Sequence, residues 1–459
     1  MTGVDPRRTA QLRQLLFGGR YRPRYRFTAG NDVQLFCSGT DLFAAMVARI
    51  DAATRDVALE TYIFCDDAVG QAVSAALTRA AGRGVRVRVI TDGIGTARLA
   101  LFDAWRAAGI EHRIYNPHLF GNFGFSRTHR KLAVIDDTYA YCGGINVVDD
   151  LDQNGKPLPF PRWDFAVELR GPVVVDVREA IELQWRRIRL GHRPPLQTLA
   201  APASATSTLF PPVPAAAGVA SGAGGNAEAA RAPSDAAQRR PRSNPASRLI
   251  ERLRERMRAS VRDPRSAGVP CVAFVARDNI VNRRAIEKAY LDAIGEARTE
   301  VLLANPYFMP GRRLRRALVE AAARGVAVKL VIGRKEFAVL DLAVPFLYHA
   351  LLSAGVQIAE YEKTMLHGKV AVVDAKWGTV GSSNLDALSL VLNNEANVLM
   401  VLHPEIEALR AGILAAFDDG VRIDRAHYDA RPAPERALSW LAYTAYRAAM
   451  KLLTVGGYD

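Results

Sequence analysis

The chain has 459 residues, 49 % of them apolar and 24 % charged, which excludes a disordered protein and leaves room for two domains with their own cores. Lys and Arg number 61 against 47 Asp and Glu, so the formal net charge is +14 and the expected partner is anionic, either a nucleic acid or an acidic membrane surface. Four widely spaced cysteines (Cys37, Cys65, Cys142, Cys271) form no C-x-x-C pair, which argues against a zinc site or a disulfide framework and predicts buried thiols in a reducing compartment.

Residues 1–30 form a basic arm containing RYRPRYRF, with too short an apolar cluster for a signal peptide. No uninterrupted apolar run reaches the ~18 residues that a membrane-spanning helix needs, so a cytosolic or membrane-peripheral protein is expected. Residues 31–197 are expected to form a first domain. There VALETYIF (57–64) precedes an Ala-rich helical pattern and RGVRVRVITDG (83–93). Residues 266–425 repeat the plan with VLLANPYF (301–308), another Ala-rich helical pattern and RGVAVKLVIG (324–333). Strands alternating with helices predict two similar α/β domains, each with a mainly parallel sheet flanked by helices.

Between them, residues 198–265 are first rich in Ala, Pro, Ser and Gly, then rich in Arg. Leu249, Leu253 and Met257 fall at helical spacing there, as a basic amphipathic helix or a merely solvated one would have them. Residues 426–459 contain ALSWLAYTAYRAAMKLLTV, apolar and aromatic with Arg447 and Lys451 one turn apart. Such a helix lies in a membrane interface or packs on the protein's own surface.

Two segments carry the chemistry. THRKLAVIDDTYAYCGGINV supplies His129, Lys131, Asp136, Gly143, Gly144 and Asn146; LHGKVAVVDAKWGTVGSSNLD supplies His367, Lys369, Asp374, Gly381, Ser382 and Asn384. Both fit H-x-K-x4-D-x6-G-[GS]-x-N without a gap. On a strand, His and Lys two apart share a face with Cα atoms about 6–7 Å apart, a span suited to one phosphate group. Asp136 and Asp374 follow their histidines by an odd number of positions, so a regular strand turns them away. The remaining histidines show no metal-ligand spacing, and neither metal nor cofactor is expected.

These paired motifs resemble the HKD signatures of the phospholipase D superfamily. The flanking segments RTHRKLAVID, GGINV, DFAVELRGP, ANPYFMPG and NNEANV are similar to those of bacterial cardiolipin synthases of the short type without N-terminal membrane spans. The resemblance counts His129, Lys131, Asp136, His367, Lys369 and Asp374 as the catalytic signature, with the site where the two domains meet. It also implies a carboxylate downstream of each motif histidine that hydrogen-bonds its imidazole: Glu395, 28 positions after His367, and Asp164, 35 after His129.

The implied reaction is two-step. One histidine, His129 by the resemblance, attacks phosphorus, and the other, His367, protonates the leaving alcohol and deprotonates the incoming one. The spacing leaves the reverse assignment open. Lys131, Lys369, Asn146 and Asn384 would hold the non-bridging oxygens. Resemblance further implies transfer from one phosphatidylglycerol to another, yielding cardiolipin and glycerol, at the cytoplasmic face of the inner membrane. A phospholipase D hydrolase and a nuclease of the same superfamily would use the same residues, and +14 suits DNA equally. A non-enzymatic basic scaffold is the remaining alternative.

Overall fold

The computed structural model describes residues 25–118, 125–153, 156–190, 264–278, 282–334 and 338–453. Most of the basic arm and of the linker, including the 249–257 helix expectation, lies outside them. The described residues of 25–190 and 264–453 belong to one compact unit.

The first half supplies strands β1 (Thr28–Ala29), β2 (Asp32–Phe36), β3 (Asp56–Thr61), β4 (Arg86–Asp92), β5 (Glu111–Tyr115), β6 (Leu132–Ile135), β7 (Tyr139–Gly143), β8 (Asp152–Gln153), β9 (Lys156–Pro157) and β10 (Ala166–Arg170). The second supplies β11 (Cys271–Arg277), β12 (Glu300–Asn305), β13 (Ala327–Gly333), β14 (Gln357–Tyr361), β15 (Val370–Val373), β16 (Trp377–Gly381), β17 (Glu395–Val401) and β18 (Val421–Arg422). One sheet runs β2-β10-β7-β6-β3-β4-β5 and the other β1-β11-β17-β16-β15-β12-β13-β14-β18. Without its two edge strands the second order copies the first, and the registers match: Leu59 faces Ala133 as Leu303 faces Ala371.

The expectation of mainly parallel sheets needs correction. Only β3-β4-β5 and β12-β13-β14 are parallel; the motif strands and their neighbours are antiparallel. The cause is local. Asp136–Asp137 and Asp374–Ala375 all have φ between +51° and +52° and open the three-residue turns that fold β6 onto β7 and β15 onto β16. A strand pair joined by so short a loop has to be antiparallel.

The two inner sheet faces share one core, in which Val134, Val167, Val372 and Val398 meet the helices Val174–Leu190 and Glu405–Asp419 through Ile181, Trp185, Leu409 and Phe417. Helices Gly39–Asp51 and Ala68–Gly82 cover the outer face of the first sheet. Ala285–Glu296, Arg312–Ala323 and Ala433–Leu453 cover that of the second. Capping sets some helix ends: the Asp67 carboxylate accepts from Gly70 N at 2.8 Å, and Gly84, at φ +85°, lets Val85 N reach back to Ala80 O. Of the cysteines, Cys142 and Cys271 are buried as expected, whereas Cys37 is exposed and Cys65 partly so.

Candidate active site

Each motif histidine stands just before its motif strand, β6 or β15, and its backbone is paired across to the other half. His129 N donates to Asn394 O at 2.9 Å and Asn394 N to Arg127 O at 2.8 Å. His367 N donates to Trp163 O at 2.9 Å and Trp163 N to Met365 O at 2.9 Å. The segment that opens β17 thus lies beside the first motif, and the segment leading into β10 lies beside the second.

This interleaving reverses the expected carboxylate partners. Glu395 hydrogen-bonds His129 Nδ1 at 3.1 Å, and Asp164 hydrogen-bonds His367 Nδ1 at 2.5 Å. Each imidazole is held by the carboxylate of the other half, because the strand crosses the seam before presenting it. His129 Nδ1 also lies 3.1 Å from Ser382 O. Both of its neighbours only accept, so Nδ1 carries the proton and Nε2 is the nitrogen left for a substrate. Ser382 Oγ donates to Glu395 at 2.5 Å, fixing that carboxylate in turn. In the other pair Asp164 presses directly on Gly144, where a side-chain carbon would come within 2.2 Å of its Oδ1.

Lys131 and Lys369 are buried, each ammonium donating to the backbone oxygen of the histidine two residues before it. The imidazoles retain a little access: 12 % of the His129 side chain and 14 % of His367 is exposed, so solvent reaches the two rings and little else of the cluster. Burial pulls His367 down to about 4, with Lys369 adding to it and Asp164 opposing. His129 is lowered by burial too, against the pull of Glu395. Burial also takes the Lys131 ammonium down to about 7; Glu395 and Asp164 oppose this and the like charge of Lys369 assists it. Burial would raise Glu395, but His129, Lys131 and Ser382 more than offset it and keep the carboxylate ionised. Lys131 and Lys369 each act electrostatically on both imidazoles, which makes the two motifs a single cluster.

Asn146 and Asn384 are buried one position beyond the motif Gly-Gly and Gly-Ser pairs' following residue. The Asn146 side-chain Oδ1 accepts from Ile63 N at 3.2 Å, which turns its Nδ2 into the donor for a substrate oxygen. Asp136 and Asp374, grouped with the catalytic residues by resemblance, are corrected to turn residues. The Asp136 carboxylate accepts from the backbone N–H of Thr54, Arg55 and Asp56, and that of Asp374 from Arg298, Thr299 and Glu300. They tie the hairpins to the starts of β3 and β12, some 20 Å along the strand from the histidines.

Two neighbours of the cluster escaped the sequence reading. The Tyr62 ring lies 4.8 Å from that of His129 and 5.3 Å from the Lys131 ammonium. Glu60, fully buried in β3, receives hydrogen bonds from Arg130 and Thr128, which flank His129. A glutamate in an otherwise apolar strand and an arginine between the motif His and Lys were the available signals for that pair; nothing marked Tyr62.

Comparison with known proteins gives a consistent result. The family described as cardiolipin synthase, PLD-like domain, matches residues 46–150 and 290–413. Cardiolipin synthase B of Escherichia coli (strain K12) is 35 % identical over 379 residues, covering 81 % of this chain and 76 % of its own. The cardiolipin synthase of Geobacillus kaustophilus (strain HTA426) is 28 % identical over 402 residues, covering 86 % of this chain and 68 % of its own. Among solved structures, phosphatidylserine synthase of Haemophilus influenzae Rd KW20 superposes with a TM-score of 0.59 at 15 % identity, over 92 % of this chain and 94 % of that one, a likeness of fold.

Proposed function

The chain belongs to the phospholipase D-like cardiolipin synthase family and is a phosphatidyltransferase acting on phospholipid; from that premise we propose that it joins two phosphatidylglycerol molecules into cardiolipin and releases glycerol. The observation that carries the chemistry is the crossed pair of carboxylate-held imidazoles, each with a buried ammonium two residues away.

In the first step His129 Nε2 attacks the donor phosphorus while the P–O bond to the headgroup glycerol breaks, and His367 gives that oxygen its proton. In the second, the terminal hydroxyl of another phosphatidylglycerol loses its proton to His367 and attacks phosphorus, breaking the P–N bond. Glu395 and Asp164 stabilise the imidazolium forms, and the arriving diester anion raises the proton affinity that burial depressed. Lys131, Lys369, Asn146 and Asn384 neutralise and bind the non-bridging oxygens. A site with so little solvent access favours the lipid alcohol over water. The reaction takes place on a membrane to which the protein binds peripherally, at the cytoplasmic face of the inner membrane.

Incubation with phosphatidylglycerol vesicles in chelator tests the reaction. Cardiolipin and glycerol are expected; phosphatidic acid alone would make the protein a hydrolase, and inertness together with DNA cleavage a nuclease. Rapid quenching with phosphorus-labelled donor assigns the nucleophile, since label should persist in His367→Ala and be absent from His129→Ala.

A further inference from the structure

Exposed large apolar side chains gather around the edge of the molecule where the histidines lie. Ile94 N donates to the Asp92 carboxylate, which also accepts from Thr128, the neighbour of His129. Leu388 O accepts from Asn393, whose side chain accepts from Arg127 N, two residues before His129. Phe160 O accepts from Thr364, three residues before His367. Ile94, Leu388 and Phe160 are all exposed; Ile94 and Phe160 come from two separate loops and Leu388 from the start of a π-helical turn.

The same edge continues outward. β15 runs antiparallel to β12, so the segment that follows the carboxyl end of β12 and the segment of His367 share a side of the sheet. On that side begins the helix Arg312–Ala323, with Arg312, Arg313 and Arg316 exposed. Its Arg315 lies 6.0 Å from the Tyr443 ring of the helix Ala433–Leu453. In that last helix Ser439, Tyr443 and Met450 face inward, and Phe346 stacks on Tyr443 at 4.6 Å. Leu438, Leu441, Ala445, Ala448 and Leu452 form an exposed stripe at helical spacing on the opposite side. Trp440 and Lys451 border the stripe. No described helix is long and apolar enough to cross a membrane.

We propose that this edge, from the rim of Ile94, Phe160 and Leu388 to the outer stripe of the terminal helix, is the surface that docks on an anionic phospholipid bilayer. It rests on the reading of the substrate as phosphatidylglycerol. The apolar stripe sinks into the acyl boundary, and Arg312, Arg313 and Lys451 meet the phosphates. A lipid headgroup then reaches the buried pair without leaving the bilayer. Arginines beside an apolar stripe fit an anionic lipid surface, whereas the same positive surface on a second copy would repel it.

Vesicle co-sedimentation with the full chain tests the docking surface. The triple variant Leu438→Gln, Leu441→Gln, Leu452→Gln should partition at least tenfold less onto vesicles of phosphatidylglycerol and phosphatidylcholine. Arg312→Glu with Arg313→Glu should weaken binding to those vesicles about tenfold and leave the weak binding to pure phosphatidylcholine unchanged. Both should turn over monomeric short-chain phosphatidylglycerol within twofold of the parent. Unaltered sedimentation of the triple variant overturns the proposal. So does retained sedimentation with a loss of self-association by analytical ultracentrifugation, since the stripe would then cover a second copy. Were the parent protein to make no cardiolipin from the short-chain lipid, the substrate reading would fail while sedimentation still judged the docking surface.

Discussion

The two halves repeat a strand order and a register, yet they surround their histidines differently. In the first half His129 lies among charges: Arg130 bonds to Glu60 at 3.1 Å, Thr128 to Asp92 at 2.9 Å, and Arg127 lies 3.8 Å from Asp92. At the equivalent positions the second half has Gly368, Ala304, Leu366, Gly333 and Met365. What fills that space is the Trp163 ring, brought across by the strand that also delivers Asp164. The segment that opens β17 comes the other way and brings Asn394, whose backbone pairs with Arg127 and His129. The carboxylates follow suit. Glu395 is backed by Ser382, and Asp164 by Gly144, which leaves it room. Each motif is therefore fitted to the strand that crosses from its partner half, so the repeat is a matter of scaffold and the fit at the seam is made between halves.

The largest expected effect is one the two halves share. His129→Ala and His367→Ala should each lower turnover by roughly 10³-fold or more, because each removes one participant in a two-step reaction. Melting temperature should hold within about 2 °C, since the mutated rings leave paired backbone behind. Full activity in either variant, measured as labelled cardiolipin, would break the equivalence of the pair.

Next in size is the charge that only the first half buries. Glu60→Ala installs the residue that the second half has, but leaves Arg130 buried without its carboxylate. A loss of about 3–5 kcal/mol in chemical denaturation is expected. Glu60→Ala with Arg130→Gly should recover most of it, if the network is an independent local solution. A double variant as unstable as the single one would show that the charge also serves the seam.

Much of this was legible beforehand. The doubled motif and the two repeated α/β halves follow from short-range spacing and pattern, which a sequence displays directly. The crossing of the carboxylates was not, because chain distance says that Glu395 follows His367 but nothing about which half's imidazole it will meet. The sheet was misjudged for a related reason. A strand pattern shows burial rather than direction, and the tight turns at Asp136–Asp137 and Asp374–Ala375 lack the glycine that signals such a hairpin. Glu60 stood out in VALETYIF as a charge in an apolar run, but its partner Arg130 lies 70 positions away, a pairing that no local spacing displays.

Gly368→Ala probes the seam from the second half. The added carbon would come within 2.6 Å of the Trp163 ring, so the ring or the motif backbone must shift. A destabilisation of about 1–3 kcal/mol is expected. Trp163 O also receives His367 N and Gly368 N, so kcat should fall along with stability. Adding Trp163→Leu should restore the melting temperature more fully than the rate, because it clears the clash and also removes packing beside His367. Equal recovery of both would mean that the ring only fills space.

The smallest effect separates the two lysines. Lys131 has the Tyr62 ring 5.3 Å from its ammonium; the second half has Pro306 in the position of Tyr62. With burial bringing Lys131 to about 7, its charge is present below that pH and lost above it. An anionic diester is bound less well once the charge is gone, so kcat/KM, which reports the free enzyme, should fall about fivefold between pH 7 and 8. Lys131→Met should be slower throughout and lose this alkaline limb. Tyr62→Leu removes a ring that favours the ammonium, and the midpoint should move to lower pH by less than about one unit. A limb that survives in Lys131→Met would transfer the titration to another group of the cluster, and with it the asymmetry that Tyr62 confers on the first half.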